Sequence, residues 1–209
     1  MSGQDTGQIR VAGAGNVWVA DEGTALPDET DPTAAPGAGW IDMGYVTTDG
    51  VTFTFARESE DLDSWQADKV RVLTTSDPMS LTFALMQTTG DTLILAMGGG
   101  TVESPVTDVY KYVPAEGANN VRAMIIDFQD SAINYRYVLP KVQVEGEVSY
   151  TLVRDGALTY PLGFGVLDGS PKYYILTDDP NMATPTLTVA TSAKADAIEE
   201  APAKAKATK

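Results

Sequence analysis

The sequence contains neither cysteine nor histidine among its 209 residues. The absence of cysteine excludes a disulfide framework, a thiol nucleophile, iron–sulfur clusters and the usual structural zinc sites. The absence of histidine removes the commonest general base and the commonest metal ligand. Because these two absences exclude most enzyme mechanisms, we predict no catalytic residue, no cofactor and no metal site.

Basic residues are scarce in the chain. Lysine and arginine number 14 against 29 aspartates and glutamates, so the formal charge is −15 and the sequence pI is near 4.2. Proteins that grip nucleic acid draw much of their affinity from lysine and arginine, which displace counterions from the phosphates. An acid excess of this size therefore predicts a chain that stays soluble and repels DNA.

Long apolar runs are also absent, and no stretch approaches the length needed to span a bilayer. The first eight residues lack the basic start and the apolar core of a signal peptide. We therefore expect a soluble chain that is made in a cytoplasm.

Hydrophobic residues make up 43% of the chain, and many of them alternate with polar or small residues along short segments. The segments 51–55 and 81–85 show this alternation, and Asp49-Gly50 before the first of them is a hairpin signal. The cleanest alternation runs over residues 141–152. Each segment has one apolar face that another layer must cover. The pattern predicts a mainly β fold, either a β-sandwich or a partly closed barrel.

One short helix is predicted on the flank of the strands. Residues 89–100 begin with polar and acidic residues, carry Leu93, Ile94 and Met97 at helical spacing, and end in three glycines. A helix this short is stable only when its apolar stripe packs on a sheet.

Three stretches contain part of a functional motif without completing it. Gly13-Ala-Gly15 lacks the third glycine of a dinucleotide fingerprint and the Lys-Ser/Thr of a P-loop. The acidic cluster 28–31 lacks the ligand spacing and the mid-loop glycine of an EF-hand calcium site. The acids between 58 and 63 could supply a carboxylate pair for glycoside hydrolysis. Four acids crowded into one connection are, however, more typical of a solvated surface.

The order of segments from Trp40 to Gly99 resembles one protein family. A Trp40-Ile-Asp-Met-Gly strand enters the turn Thr48-Asp-Gly-Val, and a charged segment then ends in Ser64-Trp-Gln. A basic strand, a Leu-Thr-Phe strand and a short helix running into glycines follow. This order resembles the major tail tube protein of long-tailed, non-contractile bacteriophages, in particular those that infect actinobacteria. The resemblance continues more weakly through residues 138–140 and 160–164.

The resemblance implies a structural protein of the virion tail, whose copies form hexameric rings. The rings would stack through loops and terminal arms into a tube that carries genomic DNA during ejection without binding it specifically. The implied partners are further copies of the chain, the tape-measure protein and the tail-end proteins, with assembly in the host cytoplasm and no membrane.

Three segments are expected along the chain. Residues 1–8 would form a flexible N-terminal arm, and residues 9–180 a β-sandwich domain that includes a long loop at 21–39. Residues 181–209 would form a C-terminal arm, with one short strand near 184–191 and a mobile end rich in alanine and lysine.

Three sets of residues are expected to serve this assembly. One wet face of the 141–152 alternation would line the lumen: Gln143, Glu145, Glu147 and Ser149. The long loop would contact the next ring: Asp21, Glu22, Pro27, Asp28, Glu29 and Asp31. The acidic connection and the basic face of the following strand would meet between subunits: Glu58, Glu60, Asp61, Asp63, Lys69 and Arg71. Alternation shows only that a face is wet, so an ordinary outer surface remains the alternative to the lumen.

A carbohydrate- or receptor-binding β-sandwich module is the alternative function. It requires an exposed platform of aromatic side chains, for which Trp18, Trp40 and Trp65 are candidates. All three stand beside apolar runs, which predicts that they belong to the core instead. The mass of the particle in solution would distinguish a monomeric binding module from a protein that forms tubes.

Overall fold

The structure, a computed structural model, describes residues 4–115 and 120–183. In this part of the chain there are twelve β-strands, one α-helix and two short 3-10 turns. The strands are β1 Ala14–Asp21, β2 Ile41–Asp42, β3 Thr52–Phe55, β4 Glu58–Ser64, β5 Ala67–Ser76, β6 Met79–Leu85, β7 Thr101–Val106, β8 Val109–Val113, β9 Val121–Asp130, β10 Ile133–Val144, β11 Tyr160–Val166 and β12 Tyr174–Thr177. The helix α1 is Gly90–Ala96, and the 3-10 turns are Thr6–Gln8 and Pro180–Met182.

Eight of the strands form one antiparallel sheet in the order β2-β1-β9-β10-β11-β6-β3, with β12 paired to β10. The long strand β10 has two partners on the same side, because its first half pairs with β12 and its last residues pair with β11. A register shift between Leu139 and Val142 separates the two halves. The sheet therefore divides at this bulge into two layers.

The two layers curl over one another. Phe53 on the edge strand β3 stacks on Tyr137 of β10 with ring centroids 4.7 Å apart, and Phe55 lies 5.8 Å from Tyr173 just before β12. Contact between the far edge of the sheet and its centre closes the layers around a shared interior. The prediction of a mainly β fold, a sandwich or partly closed barrel with one flanking helix, is confirmed.

The interior is filled by the alternating side chains of the sheet. The buried members of this main core are Val17, Val19, Met43, Met79, Leu81, Phe83, Leu85, Leu95, Ala96, Met124, Ile126, Leu139, Val142, Tyr160, Leu162, Phe164 and Val166. A second, smaller cluster lies on the other face of the sheet and consists of Ala20, Trp40, Ala123, Ile125 and Val138. Because β9 supplies buried residues to both clusters, it is covered on both faces.

Helix α1 forms where the sequence predicts it. The hydroxyl of Thr89 accepts the backbone N–H of Thr92 at 3.1 Å and caps the first turn. Leu95 and Ala96 are buried against the main core, and Gly98 to Gly100 follow with positive φ angles that end the helix.

The strand predicted over residues 141–152 is wrong beyond Val144. Glu145 still donates its N–H to the carbonyl of Gly163 at 2.8 Å, but Gly146 adopts a φ of 81° and the chain leaves the sheet there. Val148 packs against the main core and Leu152 is exposed. The alternation in the sequence continues past Gly146, but the left-handed backbone of this glycine ends the extended strand.

The turn predicted at Asp49-Gly50 forms, with the N–H of Gly50 bonded to the carbonyl of Thr47 at 2.9 Å. The segments on its two sides do not pair with one another as a hairpin would. Val46 instead forms a bridge with Leu85, and β3 pairs with the earlier residues of β6. Both sides of the turn thus pair with the same strand.

The expected strand near 184–191 and the Ala/Lys-rich end lie outside the described residues, as do residues 1–3. Within the part that is described, no helix is long and apolar enough to cross a bilayer.

Candidate assembly surfaces

The acidic run after β3 is a strand rather than the connection that the sequence suggested. Residues Glu58–Ser64 form β4 and pair with β5 in a separate two-stranded sheet. The strands are seven and ten residues long, and ten extended residues span about 33 Å. We call residues 58–76 the acidic hairpin. The four acids of β4 lie on both of its faces and are exposed, so a dense acidic run could not by itself distinguish a strand from a loop.

The predicted meeting of acidic and basic residues occurs inside the acidic hairpin. The Lys69 ammonium lies 3.0 Å from the Asp61 carboxylate, and the Lys69 N–H donates to Asp63 at 2.8 Å. Glu58 accepts the hydroxyl of Ser76 at 2.7 Å. Glu60 and Arg71 lie on its exposed strands. A contact of these residues between subunits stays a prediction.

Trp65 lies at the turn of the acidic hairpin and is 99% exposed, so its predicted place in the core is wrong. Trp40 is buried and Trp18 is half-buried. Leu62, Val70 and other exposed apolar residues follow Trp65 down both strands. The signal that the prediction missed is the pair of acids, Asp63 and Asp68, that stand between Trp65 and the nearest large apolar residues on either side.

A second hairpin, residues 101–113, stands beside helix α1. Tyr112 donates its hydroxyl to the carbonyl of Gly99 at 2.5 Å, and Asn120 donates to that of Gly98 at 2.8 Å. The Tyr112 bond attaches the base of the hairpin to the glycines after helix α1, while Tyr110 and Val106 near its turn are exposed. The charges of Glu103 and Lys111 face one another at 3.8 Å across the strands.

The long loop at 21–39 lies against the sheet and covers the smaller cluster. Pro27 is buried, and the indole N–H of Trp40 donates to the carbonyl of Ala25 at 3.0 Å. On the opposite side of the loop, Arg136 donates to the carbonyl of Ala34 at 2.7 Å. The loop is thus attached to its own domain at two points.

Arg136 is a structural residue that the sequence interpretation missed. Its guanidinium forms two parallel bonds to Asp127, at 2.7 and 2.9 Å, and Trp18 donates its indole N–H to the same carboxylate at 3.1 Å. Arg136 and Asp127 are direct partners in the β9–β10 register. The sequence did contain a signal for this ion pair, because each of two consecutive apolar segments carries a charged residue, and the two charges are opposite in sign.

Four of the five acids in the loop have partners within their own subunit. The backbone N–H and then the hydroxyl of Thr30 lower the pKa of Asp28, and the hydroxyl and then the N–H of Thr33 lower that of Asp31. Asp21 pairs with Arg122, and Glu22 lies 2.8 Å from Lys141. Glu29 is exposed. Whether these residues also contact a neighbouring ring stays a prediction.

One face of the sheet is exposed at Thr52, Thr54, Thr82 and Glu145, while Gln143 and Ser80 on the same face are half-buried. Its two rows run across β10, β11, β6 and β3 and hold mostly small, uncharged residues: Gln143, Gly165, Ser80 and Thr54 in one, and Glu145, Gly163, Thr82 and Thr52 in the other. We call these two rows the open face. Glu145 supplies the one charge, and its carboxylate lies over Gly165, where a side chain would collide with it.

Two of the four predicted lumen residues belong to the open face. Gln143 and Glu145 lie in its rows, whereas Glu147 and Ser149 follow the break at Gly146 and are exposed outside the strands. The described residues contain no group of acids that could hold a metal ion.

Comparisons with known proteins identify the family. The family model described as phage tail tube protein matches residues 1–188. The major tail protein Gp23 of Mycobacterium phage L5 is 30% identical over 173 residues, covering 77% of this chain and 85% of the relative. The protein of the same name from Mycobacterium phage D29 is 29% identical over the same length and coverage. The chain belongs to the phage tail tube protein family.

Two solved structures resemble the tail tube protein more distantly. One is the tail of an empty gene transfer agent particle with C6 symmetry, at 11% identity, TM-score 0.37, and 63% and 84% coverage of the two chains. The other is the virion of a native gene transfer agent, at 10% identity, TM-score 0.38, and 67% and 89% coverage.

The resemblance drawn from the Trp40–Gly99 segment is therefore confirmed. The tail tube protein is a structural component of the bacteriophage virion, similar to major tail proteins of phages that infect an actinobacterium.

Proposed function

We propose that this tail tube protein assembles into six-membered rings that stack into the conduit through which genomic DNA leaves the particle. Assembly takes place in the host cytoplasm, with the tape-measure and tail-end proteins as further partners. The single observation that carries the proposal is the acidic hairpin, which among the described residues forms a separate two-stranded sheet with exposed side chains along both strands.

An isolated two-stranded hairpin is marginally stable in water. The acidic hairpin carries apolar residues on both faces, with Leu62 and Leu73 opposite Val70 and Val72, and Trp65 at the end. Burial of that surface requires another molecule. A contact between a projecting hairpin and a different surface of a second copy is heterologous, and such contacts produce rings or open filaments.

The open face supports the conduit. A wall that DNA must slide along needs few groups that bind phosphate, and this face offers hydroxyls, glycine and one carboxylate, Glu145. Its hydroxyl residues Thr52, Thr54 and Thr82 are exposed. We assign the lumen to the open face, with Gln143 and Glu145 in it. Glu147 and Ser149 would line the lumen only if the segment after Gly146 follows the same wall.

The experiment compares the purified chain with a Trp65→Ser variant by size-exclusion chromatography and negative-stain electron microscopy. The wild type should form rings or tubes at high concentration or with tail initiator components. Trp65→Ser should stay monomeric with an unchanged unfolding midpoint, because the Trp65 side chain is 99% exposed. Tyr45→Ser, which removes another exposed aromatic ring outside the hairpin, is the matched control and should assemble normally. A wild type that remains monomeric under all these conditions would contradict the proposal.

A further inference from the structure

Two terminal segments of the described chain meet at one end of the sheet. We call residues 4–13 the N-terminal segment and residues 178–183 the C-terminal segment. The Arg10 guanidinium contacts the Asp179 carboxylate through Nε at 2.7 Å and through Nη2 at 2.6 Å. A side chain of one segment thus forms a two-point ion pair with a side chain of the other.

Asp179 is the centre of this contact. Its side chain is 4% exposed, and it also accepts the Tyr135 hydroxyl at 2.5 Å and the N–H of Asn181 at 2.9 Å. The Asn181 bond caps the 3-10 turn Pro180–Met182. One carboxylate therefore contacts the N-terminal segment, the sheet and the C-terminal segment at once.

The turn between β9 and β10 supports the same arrangement. Asp130 accepts the N–H of Val11 at 3.1 Å, and Asp178 accepts the N–H and side-chain amide of Asn134 at 2.7 and 2.8 Å. Each terminal segment thus has its own bond to this turn, and Asp179 joins the two segments across it.

The side chains beside Arg10 point the other way. Ile9 and Val11 are 66% and 65% exposed, whereas the Arg10 side chain is 17% exposed. Extended backbone alternates its side chains, so insertion of Arg10 fixes which residues the segment presents outward. Loss of the Arg10–Asp179 pair would therefore release the orientation of the N-terminal segment and also weaken the cap of the 3-10 turn.

We propose that Asp179 is a positioning residue that joins the N-terminal and C-terminal segments, so that the two segments are held, or released, together. A buried carboxylate that loses its cation is left uncompensated, and its contacts to the other segment should weaken with it. The inference does not rest on tube formation, because it concerns a coupling within one subunit.

Amide hydrogen exchange in the full chain tests the coupling. Arg10→Gln should accelerate exchange by at least about tenfold at Val11 in the N-terminal segment and equally at Asn181 to Ala183 in the C-terminal segment. Asp179→Asn, which changes the C-terminal segment instead, should likewise accelerate exchange in both segments. Amides of β9, such as Ile125, should keep wild-type protection, which shows that the domain remains folded.

Two further variants separate coupling from simple damage. Arg10→Lys keeps the charge and should restore protection of both segments in part. Tyr135→Phe keeps the ion pair and should accelerate both segments less than Arg10→Gln does. Arg57→Gln, which breaks an exposed pair with Asp77, should change neither segment. Faster exchange in residues 4–13 alone, with wild-type protection at 181–183 in Arg10→Gln, would overturn the proposal.

Discussion

Arg136 and Asp179 are the two charged residues that the described part of the chain buries. Each is satisfied by several partners, as a charge removed from water must be. Arg136 connects β9, β10 and the loop at 21–39, and Asp179 connects the two terminal segments with the sheet. The chain has 43 charged residues, 14 basic and 29 acidic. The sequence alone does not distinguish these two from the exposed ones, because burial is decided by neighbours that are distant along the chain.

Replacement of Arg136 by methionine should lower the free energy of unfolding by about 3–5 kcal/mol, because it leaves the Asp127 carboxylate without its cation. Urea denaturation followed by tryptophan fluorescence measures the loss. Adding Asp127→Leu to the same chain should recover much of it, since the unpaired charge is then gone. The matched control is Arg57→Met, whose partner Asp77 is exposed and whose loss should be below about 1 kcal/mol.

Acid should weaken the Asp179 contact in a defined pH range. The Tyr135 hydroxyl, then the Asn181 N–H and Arg10, lower the Asp179 pKa from 3.8 to about 2. A carboxylate with a lowered pKa stabilises the fold above its unfolded pKa, and that contribution is lost as the pH falls through the folded value. The urea midpoint should therefore decrease between about pH 4 and pH 2, and Asp179→Asn should flatten this dependence by up to about one bound proton. Equal slopes in both proteins would contradict this assignment.

Elements with a regular apolar period were the ones that the sequence predicted well. Helix α1 and strands β3 and β6 lie where helical spacing or alternation placed them. These features depend on residues close in sequence, which is why they could be predicted.

Elements whose stability comes from elsewhere were predicted poorly. Strand β4 is a run of acids with no buried face, and the segment after Gly146 keeps its alternation although it has left the sheet. In both, the pairing partner decides the structure, and the pairing partner is not visible in a local pattern. The open face follows the same rule, because the sequence interpretation named Gln143 and Glu145 but not the threonines of β3 and β6 beside them. That this face lines the lumen stays a proposal.

The loop at 21–39 should matter for folding as well as for any contact with another ring. Deletion of residues 23–37 removes the Ala25 and Ala34 carbonyls that Trp40 and Arg136 use, and it uncovers the smaller cluster. We expect it to lower the free energy of unfolding by at least about 3 kcal/mol, measured by urea denaturation.

Glu29→Lys tests the ring contact of this loop without that damage, because Glu29 is exposed. Loss of tubes with an unchanged unfolding midpoint would support the contact. Tubes of normal length would assign ring stacking to other surfaces, such as the acidic hairpin.

The described part of the molecule combines a closed double layer with two hairpins and with two terminal segments bound at one end of the sheet. The layers are held by the main core and by aromatic contacts between β3 and β10. The hairpins and the terminal segments together carry most of the exposed large apolar residues. This division suits a subunit that must be folded before assembly and must bury further surface during it.

The open face should determine how DNA moves through the assembled tube. Six-fold symmetry would repeat Thr82 as a ring, so Thr82→Lys would place a ring of positive charge on the wall. Lysines bind phosphates by releasing counterions, and screening over about 8–10 Å at physiological salt confines the effect to the wall. We expect normal tube assembly, with DNA ejection that is slowed and becomes salt-sensitive. Glu145→Lys should act in the same direction, because it also removes the one negative charge of the face.

Thr107→Lys is the matched control, since it makes the same change in the exposed turn of the second hairpin. Ejection from Thr107→Lys tails should keep the wild-type rate at every salt concentration. Glu147→Lys decides whether the segment after Gly146 shares the wall, because it slows ejection only if that segment faces the DNA. If Thr82→Lys tails eject DNA at the wild-type rate even at low salt, where phosphate binding is strongest, the open face does not line the lumen.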